Sequence, residues 1–297
     1  MLDLGDLRVF LTVVEEGGVL KASRKLHRVP SSITTRIQRL EASTGTELFH
    51  RHKQRLHLSP AGEMLRGYAE KLLHLSEEAA SAMAGSAPAG VLRLGALEST
   101  TASRLPAVLA AYHAAYPEVR IELTTGTNDA LTAAVLDRRL DAAFVAEPAA
   151  APELSHLPLF AERLVVITAK GHRPVRAPKD VAGSSLIAFP NGCAYRRRLH
   201  RWLGATSTAT MRVLDLGSYH AIVACVGAGA GIALVPESVL DTVPLAQVER
   251  HRLPREHANV VTPLIWRTEE ASRALVALRE QLGRRRPAAA RRRAAAP

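Results

Sequence analysis

Nine basic side chains fall within residues 21–55: Lys21, Arg24, Lys25, Arg28, Arg36, Arg39, Arg51, Lys53 and Arg55. Only Glu41 and Glu47 oppose them, which leaves a local excess of +7. Between the bases stand Ser31, Thr34, Thr35 and Gln38. Guanidinium and ammonium groups attract phosphate and release its counterions whatever the base sequence. Hydroxyls and a carboxamide can hydrogen-bond base edges, and arginine can add phosphate or guanine contacts. This mixture of residue types suits the reading of a DNA groove. Acids flank the segment, Asp3, Asp6, Glu15 and Glu16 before it and Glu63, Glu70, Glu77 and Glu78 after it, so the positive field is confined to one module.

Spacing shows which elements must position these groups. Leu4, Leu7, Val9, Phe10, Val13 and Val14 recur at helical intervals, and Gly17-Gly18 ends that helix. Residues 19–26 predict a second short helix with Leu20, Ala22 and Leu26 inward, and His27-Arg28-Val29 turns the chain. Pro30 suits the first position of a third helix, where its missing N–H costs nothing. Ile33, Ile37 and Leu40 then face a core at i, i+4 and i+7, and Ser31, Thr34, Thr35 and Gln38 take the opposite face with Arg36 and Arg39 at its flanks. Leu48-Phe49 and Leu56-His57-Leu58 bracket a hairpin whose tip carries Arg51, His52, Lys53 and Arg55, a wing beside a helix-turn-helix. Ser59 caps the next helix, with Pro60 at its first position. Along it Leu65, Tyr68, Leu72, Leu75, Ala79 and Ala82 are spaced as a heptad seam, which predicts a partner helix and hence a homodimer. Packing on its own domain would use the same residues.

Composition bounds the rest. At 297 residues and 47% hydrophobic content, the chain can build two or three domains with real cores. Its formal charge of +11 is uneven, because the six arginines of 284–286 and 291–293 lie in a tail with no apolar face. That tail, 284–297, is predicted to be disordered. Cys193 and Cys225 form neither a CxxC pair nor a metal-binding spacing, so a disulfide framework, a metal site and a cofactor are not expected. Acids near Met1 replace the bases of a secretory leader, and no apolar run is long enough to span a bilayer. A soluble, cytoplasmic protein without a membrane partner is predicted.

Residues 85–90 read as a linker. Beyond them, strands at 91–97, 119–124, 141–145, 163–168, 185–189, 211–214, 231–236 and 259–266 alternate with helices at 99–116, 127–136, 195–203, 218–226 and 271–282. This alternation predicts an α/β fold with mostly parallel sheets. Ser99, Thr127 and Ser218 each stand where a helix starts, so free N–H groups and hydroxyls there suit a small anion; plain helix capping needs the same residues. Gly227, Gly229 and Gly231 lie between a helix and a strand, the wrong order for a dinucleotide turn, so close packing is their expected role.

Taken together, Leu7-Arg8-Val9-Phe10, Leu26-His27, residues 37–41 (Ile-Gln-Arg-Leu-Glu), residues 45–49 (Gly-Thr-Glu-Leu-Phe) and residues 58–62 (Leu-Ser-Pro-Ala-Gly) resemble the signature of the LysR-type transcriptional regulators. The likeness runs from residue 2 to about 282. Within the family, residues 28–36, 95–100, 193–197 and 218–220 look most like regulators of putrescine utilisation, which implies control of amine or amino-acid catabolism. The resemblance implies an all-α winged helix-turn-helix DNA-binding domain over 1–58, a linker helix for dimerisation over 59–84, a hinge over 85–90 and an effector-binding domain over 91–283. That last domain would have two α/β lobes like a periplasmic binding protein, lobe I at about 91–162 and 267–283 and lobe II at about 163–266. The family's dimers commonly pair into homotetramers. Where the family usually has a polar cap before its recognition helix and an arginine on the reading face, this chain has Val29 and Thr34-Thr35, which turns base preference toward thymine methyl contact.

The resemblance also assigns roles. Arg28, Pro30, Ser31, Thr34, Thr35, Gln38, Arg39, Arg51, Lys53 and Arg55 would meet double-stranded DNA. A small-molecule effector would sit between the lobes, lined by Glu98, Ser99, Thr100, Gly126, Thr127, Asn128, Asn191, Cys193, Ser218 and Tyr219. Glu98 is the carboxylate best placed for an effector amine, and Cys193 and His220 have no resolvable catalytic partner. Nucleophile elbow, metal cluster and paired carboxylates are all missing from the sequence, so an enzyme is not expected. A solute-binding transport protein would fit the second half but needs a leader. The alternative that the tail favours is a non-specific, nucleoid-type DNA-binding protein.

Overall fold

The computed structural model describes residues 1–52, 55–83, 87–148, 151–204, 211–243, 247–268 and 272–284; at 51, 52, 55, 78, 81 and 82 it describes the backbone alone. The predicted tail beyond residue 284 and the wing residue Lys53 therefore lie outside the described residues. The chain divides into two compact units, Met1–Gly85 with Asp137–Arg139, and Ser86–Leu136 with Leu140–Pro297.

The first unit is three helices, a hairpin and a long helix: α1 (Leu4–Glu16), α2 (Val19–Lys25), α3 (Pro30–Thr44), β1 (Phe49–His52), β2 (Arg55–Leu58) and α4 (Pro60–Met83). Leu7, Phe10, Val13, Ile33, Ile37, Leu40, Leu48 and Phe49 form its core, closed from below by Leu65, Ala69 and Leu73 of α4. Leu20 is exposed rather than inward, because α2 is seven residues long and buries only Ala22 and Ser23, and Leu4 is exposed at the first position of α1. The entry to α4 is fixed by Ser59, whose hydroxyl donates to Glu47 O at 2.7 Å and accepts from Gly62 N at 2.9 Å. Gly62 is required there, since a Cβ would sit 2.2 Å from Leu48 O. The heptad seam divides between two uses. Leu65 belongs to the unit's own core, whereas Tyr68, Leu72 and Leu75 remain 59%, 38% and 48% exposed.

The second unit contains β3 (Gly90–Ala96), α5 (Glu98–Ser103), α6 (Leu105–Ala115), β4 (Val119–Thr125), α7 (Asn128–Leu136), β5 (Ala142–Phe144) and β6 (Leu154–Ala169). Next come β7 (Leu186–Ala188), α8 (Ala194–Leu203), β8 (Val213–Asp215), α9 (Tyr219–Gly227), β9 (Ala233–Pro236), α10 (Glu237–Leu240), β10 (Val248–Arg252), α11 (Arg255–Ala258), β11 (Asn259–Arg267) and α12 (Arg273–Arg284). Its main sheet has the order β10-β6-β11-β5-β3-β4, with β9 also on β6; β7 and β8 form a separate pair.

The sheets are mixed, not mostly parallel. β3 pairs β4 and β5 in parallel, as β7 does β8, but β6, β9, β10 and β11 pair antiparallel. The reason is topological: the chain passes between two cores along β6 and returns along β11, so the two strands run in opposite directions. One core gathers Leu92, Leu94, Leu105, Tyr112, Phe144 and Leu278; the other gathers Leu164, Val166, Ile187, Leu199, Val226 and Val235. The Tyr112 hydroxyl, deep in the first, donates to Ala274 O at 2.8 Å.

The helix expected over 99–116 is broken at Arg104, which closes α5 and opens α6. Pro106 lacks the N–H that would bond back into α5, and its ring disfavours helical backbone before it. The strand predicted from 163 begins at Leu154, and β10, α10 and α11 had no expected counterpart. Gly231 does serve close packing, with Ser185 O only 2.3 Å from where its Cβ would be.

Candidate functional site

On α3, Ile33, Ile37 and Leu40 are buried, and Ser31, Thr35, Gln38 and Arg39 are exposed, with Thr34 half-buried. Arg28 and Pro30 are exposed beside them. The Thr34 and Thr35 hydroxyls donate back to Pro30 O at 3.1 Å and Ser31 O at 3.0 Å. Their protons are thereby used, so each threonine presents a methyl and a hydroxyl lone pair outward. Arg36 and Arg39 are engaged by a partner the sequence did not reveal. The buried carboxylate of Asp6, on α1, accepts from Arg36 Nη1 at 2.7 Å and Arg39 Nε at 2.8 Å. Arg36 therefore clamps α3 to α1, and Arg39 reaches outward only from the rim of that clamp. The hairpin pairs Arg51 with Leu56 and His52 with Arg55 in register.

The second site lies between the two cores of the α/β unit. Glu98, Ser99, Gly126, Thr127, Cys193 and Tyr219 line one cavity together with Leu97, Phe189, Ala194 and Tyr195. Its open space is about 10 Å³, roughly one water. Of the residues expected there, Thr100, Asn128, Asn191 and Ser218 are not on its wall. Thr100 is buried, Asn191 is exposed and Ser218 is half-buried before α9. Asn128 is buried and its Oδ1 accepts from Ala146 N at 2.8 Å, which ties the start of α7 to the end of β5. Phe189 and Tyr195 are the aromatic walls the sequence reading missed. They flank Asn191 and Cys193 in one segment, and the end of β7 feeding the start of α8 was the available signal.

Glu98 is the one acidic side chain of the wall. Its Oε1 accepts from Tyr219 N at 3.4 Å, and its Oε2 is buried without a hydrogen-bond partner. Burial pushes its carboxyl above the usual range, against the Tyr219 N–H and the His220 charge. Burial likewise raises the Tyr219 and Tyr195 phenols, so both stay neutral. The Tyr195 hydroxyl sits near Ser99 and Thr262 without a well-formed hydrogen bond. Burial also raises the Cys193 thiol, which leaves it a poor nucleophile.

Polar contacts also cross between the lobes. Asp129 pairs with Arg197 at 2.9 Å, and Asp129 N donates to Gly192 O at 3.3 Å. Gly192 holds φ of 92°, and a Cβ there would lie 2.9 Å from Thr127 Oγ1. Glu162 on β6 accepts from Arg104 Nε at 2.6 Å and from Ser238 Oγ at 2.7 Å, and Ser103 Oγ donates to Ser238 Oγ at 3.2 Å. Opening the cavity must break such contacts. Among the described residues no group of three or more His, Cys, Asp or Glu could hold a metal ion, and no helix is long and apolar enough to cross a membrane.

A winged helix-turn-helix, and an α/β unit with a small, mainly apolar cavity between its two cores, are the parts of a DNA-binding regulator with an effector domain. Residues 4–63 match the family described as bacterial regulatory helix-turn-helix protein, lysR family, and residues 85–287 match the LysR substrate binding domain. The chain belongs to the LysR family of transcriptional regulators. It is 36% identical over 265 residues to the HTH-type transcriptional regulator GltR of Bacillus subtilis, covering 89% of this chain and 90% of GltR. Its fold is similar to that of CbnR, a LysR family transcriptional regulator, with TM-score 0.70, 22% identity and coverage of 95% of this chain and 99% of CbnR. Full-length CbnR complexed with its target DNA gives TM-score 0.68 at 22% identity and the same coverage. The two matched segments take in most of the chain outside its basic tail, and they give no support to the nucleoid-type alternative, which rested on the charge of that tail.

Proposed function

We propose that the protein acts in the cytoplasm as a homodimer, assembling to a homotetramer, that binds double-stranded DNA and changes transcription when a small-molecule effector occupies the lobe cleft. The observation that carries the DNA half is the outer face of α3. Ser31, Thr35 and Gln38 stand in solvent beside Arg28 while the clamp of Asp6 on Arg36 holds the helix in place. Ser31, Thr34, Thr35 and Gln38 read bases, Arg28 and Pro30 set the helix entry, and Arg39 with the wing residues Arg51, Lys53 and Arg55 meets phosphates. The exposed stripe of Tyr68, Leu72 and Leu75 supports dimerisation through α4. Glu98, Ser99, Gly126, Thr127, Cys193 and Tyr219 contact the effector, and closure of the lobes over it alters the spacing of the paired DNA-binding units.

The likeness of four segments to regulators of putrescine utilisation bears on the ligand alone. GltR and CbnR carry no such name, and it is the chemistry of the cleft that bears on the ligand class. Footprinting on the DNA flanking the protein's own coding sequence tests the regulatory reading. A protected site that weakens in Gln38→Ala and Thr35→Ala is expected. Binding no tighter than to random DNA would refute it.

A further inference from the structure

We propose that the lobe cleft takes a small organic ammonium ion, held by the free carboxylate oxygen of Glu98 against the aromatic pair Phe189 and Tyr219. The proposal rests on the reading of this cleft as the effector site and adds the class of effector.

Three observations carry it. The first is the state of Glu98. One carboxylate oxygen reaches Tyr219 N across the cleft; the other is buried and accepts from nothing. A buried polar atom left in this state is costly, and an incoming N–H donor with positive charge removes the cost.

The second is the charge of the wall. Glu98 is the only acid among the lining residues, and none of them is lysine, arginine or histidine. Outside the wall, His220 on the exposed side of α9 acts on the Glu98 carboxyl, while Arg197 is paired with Asp129 at 2.9 Å and Arg196 with Asp215 at 2.7 Å. An anionic effector would meet a carboxylate with no counter-charge on the wall. A cationic one finds its complement.

The third is the aromatic pair. The Phe189 and Tyr219 rings lie 4.8 Å apart, tilted by 49°, and both border the same space as Glu98. Their π faces attract a cation, most strongly where water is excluded. The space beside them, about one water in size, matches a single ammonium group, so a carbon chain attached to it requires the cavity to widen past Thr127 and Ser99.

The test uses three compounds with one four-carbon frame: butane-diamine, aminobutanoate bearing its amine on the terminal carbon, and butanedioate. Each is titrated calorimetrically into the full-length protein, wild type, Glu98→Gln and Phe189→Leu, with operator footprinting in parallel and circular dichroism as the folding control. The two amines are expected to bind and butanedioate not to. Glu98→Gln keeps the shape and removes the charge, so amine affinity should fall about tenfold to a hundredfold. Phe189→Leu should weaken it several-fold. Preference for butanedioate, unchanged amine affinity in folded Glu98→Gln, or no binding by any alkylammonium ion from methylammonium to hexylammonium overturns the assignment. The two levels separate cleanly. If butanedioate binds and moves the footprint, effector control stands and the ammonium class falls. If amines bind and no footprint moves, the ammonium class stands and effector control falls.

Discussion

Replacing Asp6 by alanine should destabilise the DNA-binding unit more than any surface change on α3 itself. The Asp6 carboxylate is 3% exposed and pairs with Arg36 at 2.7 Å and Arg39 at 2.8 Å, whose side chains are 25% and 60% exposed. Removing one member of a buried pair costs about 3–5 kcal/mol, whereas a solvent-exposed pair is worth about 0.2–1 kcal/mol. Arg36 lies between those limits and Arg39 near the lower one. The expected loss is therefore about 2–3 kcal/mol, most of it through Arg36. In a unit of this size each kcal/mol moves the midpoint by roughly 4–8 °C, so the transition should drop by about 8–24 °C. Circular dichroism melting of Asp6→Ala, with double-mutant cycles to Arg36→Ala and Arg39→Ala, apportions the loss. Coupling should be about 1–2 kcal/mol to Arg36 and under about 0.5 kcal/mol to Arg39. A total loss below about 0.5 kcal/mol, or stronger coupling to Arg39 than to Arg36, would refute the clamp.

Three further outcomes follow from the same geometry. Tyr112→Phe leaves Ala274 O without its 2.8 Å donor inside a packed core, and denaturant unfolding should show a loss of about 1–2 kcal/mol. Leu72→Glu with Leu75→Glu places charge on the uncovered stripe of α4, and sedimentation velocity should show the proposed dimer dissociating at concentrations where the wild type stays paired; a wild type that sediments as a monomer would refute the dimer. His251 takes a backbone N–H from Val175 on Nδ1 and faces Thr168 Oγ1 at 2.9 Å, and burial, with the nearby His172 charge, lowers its pKa despite Glu249. The unfolded chain then binds the proton more readily, so stability present above about pH 6.5 is lost as pH falls toward the lowered value. The midpoint of His251→Asn, melted across that window, should depend less on pH than that of the wild type; equal slopes would exclude His251 as the source.

The sequence by itself determined the DNA-binding unit almost completely. Its helices are short, their apolar residues recur at the helical period, and Pro30, Gly45 and Ser59-Pro60 mark boundaries that local backbone chemistry enforces. Of the residues it grouped for the cleft, Glu98, Ser99, Gly126, Thr127, Cys193 and Tyr219 line one cavity, because strand ends and helix starts are local features. What it could not reach was any pairing decided by contacts remote along the chain. Asp6 gave no local sign that it would hold Arg36 and Arg39, since the partners lie 30 and 33 residues apart. The antiparallel run of β6 and β11 depends on a chain that crosses and returns, which alternation of strands and helices does not encode. The heptad spacing on α4 could not say which positions its own core would cover, and packing against α1 and the hairpin divided them. The same holds in the cleft. Asn128 and Glu98 both read as polar residues at a helix start, and only tertiary packing gave Asn128 a backbone partner while leaving one oxygen of Glu98 buried and free.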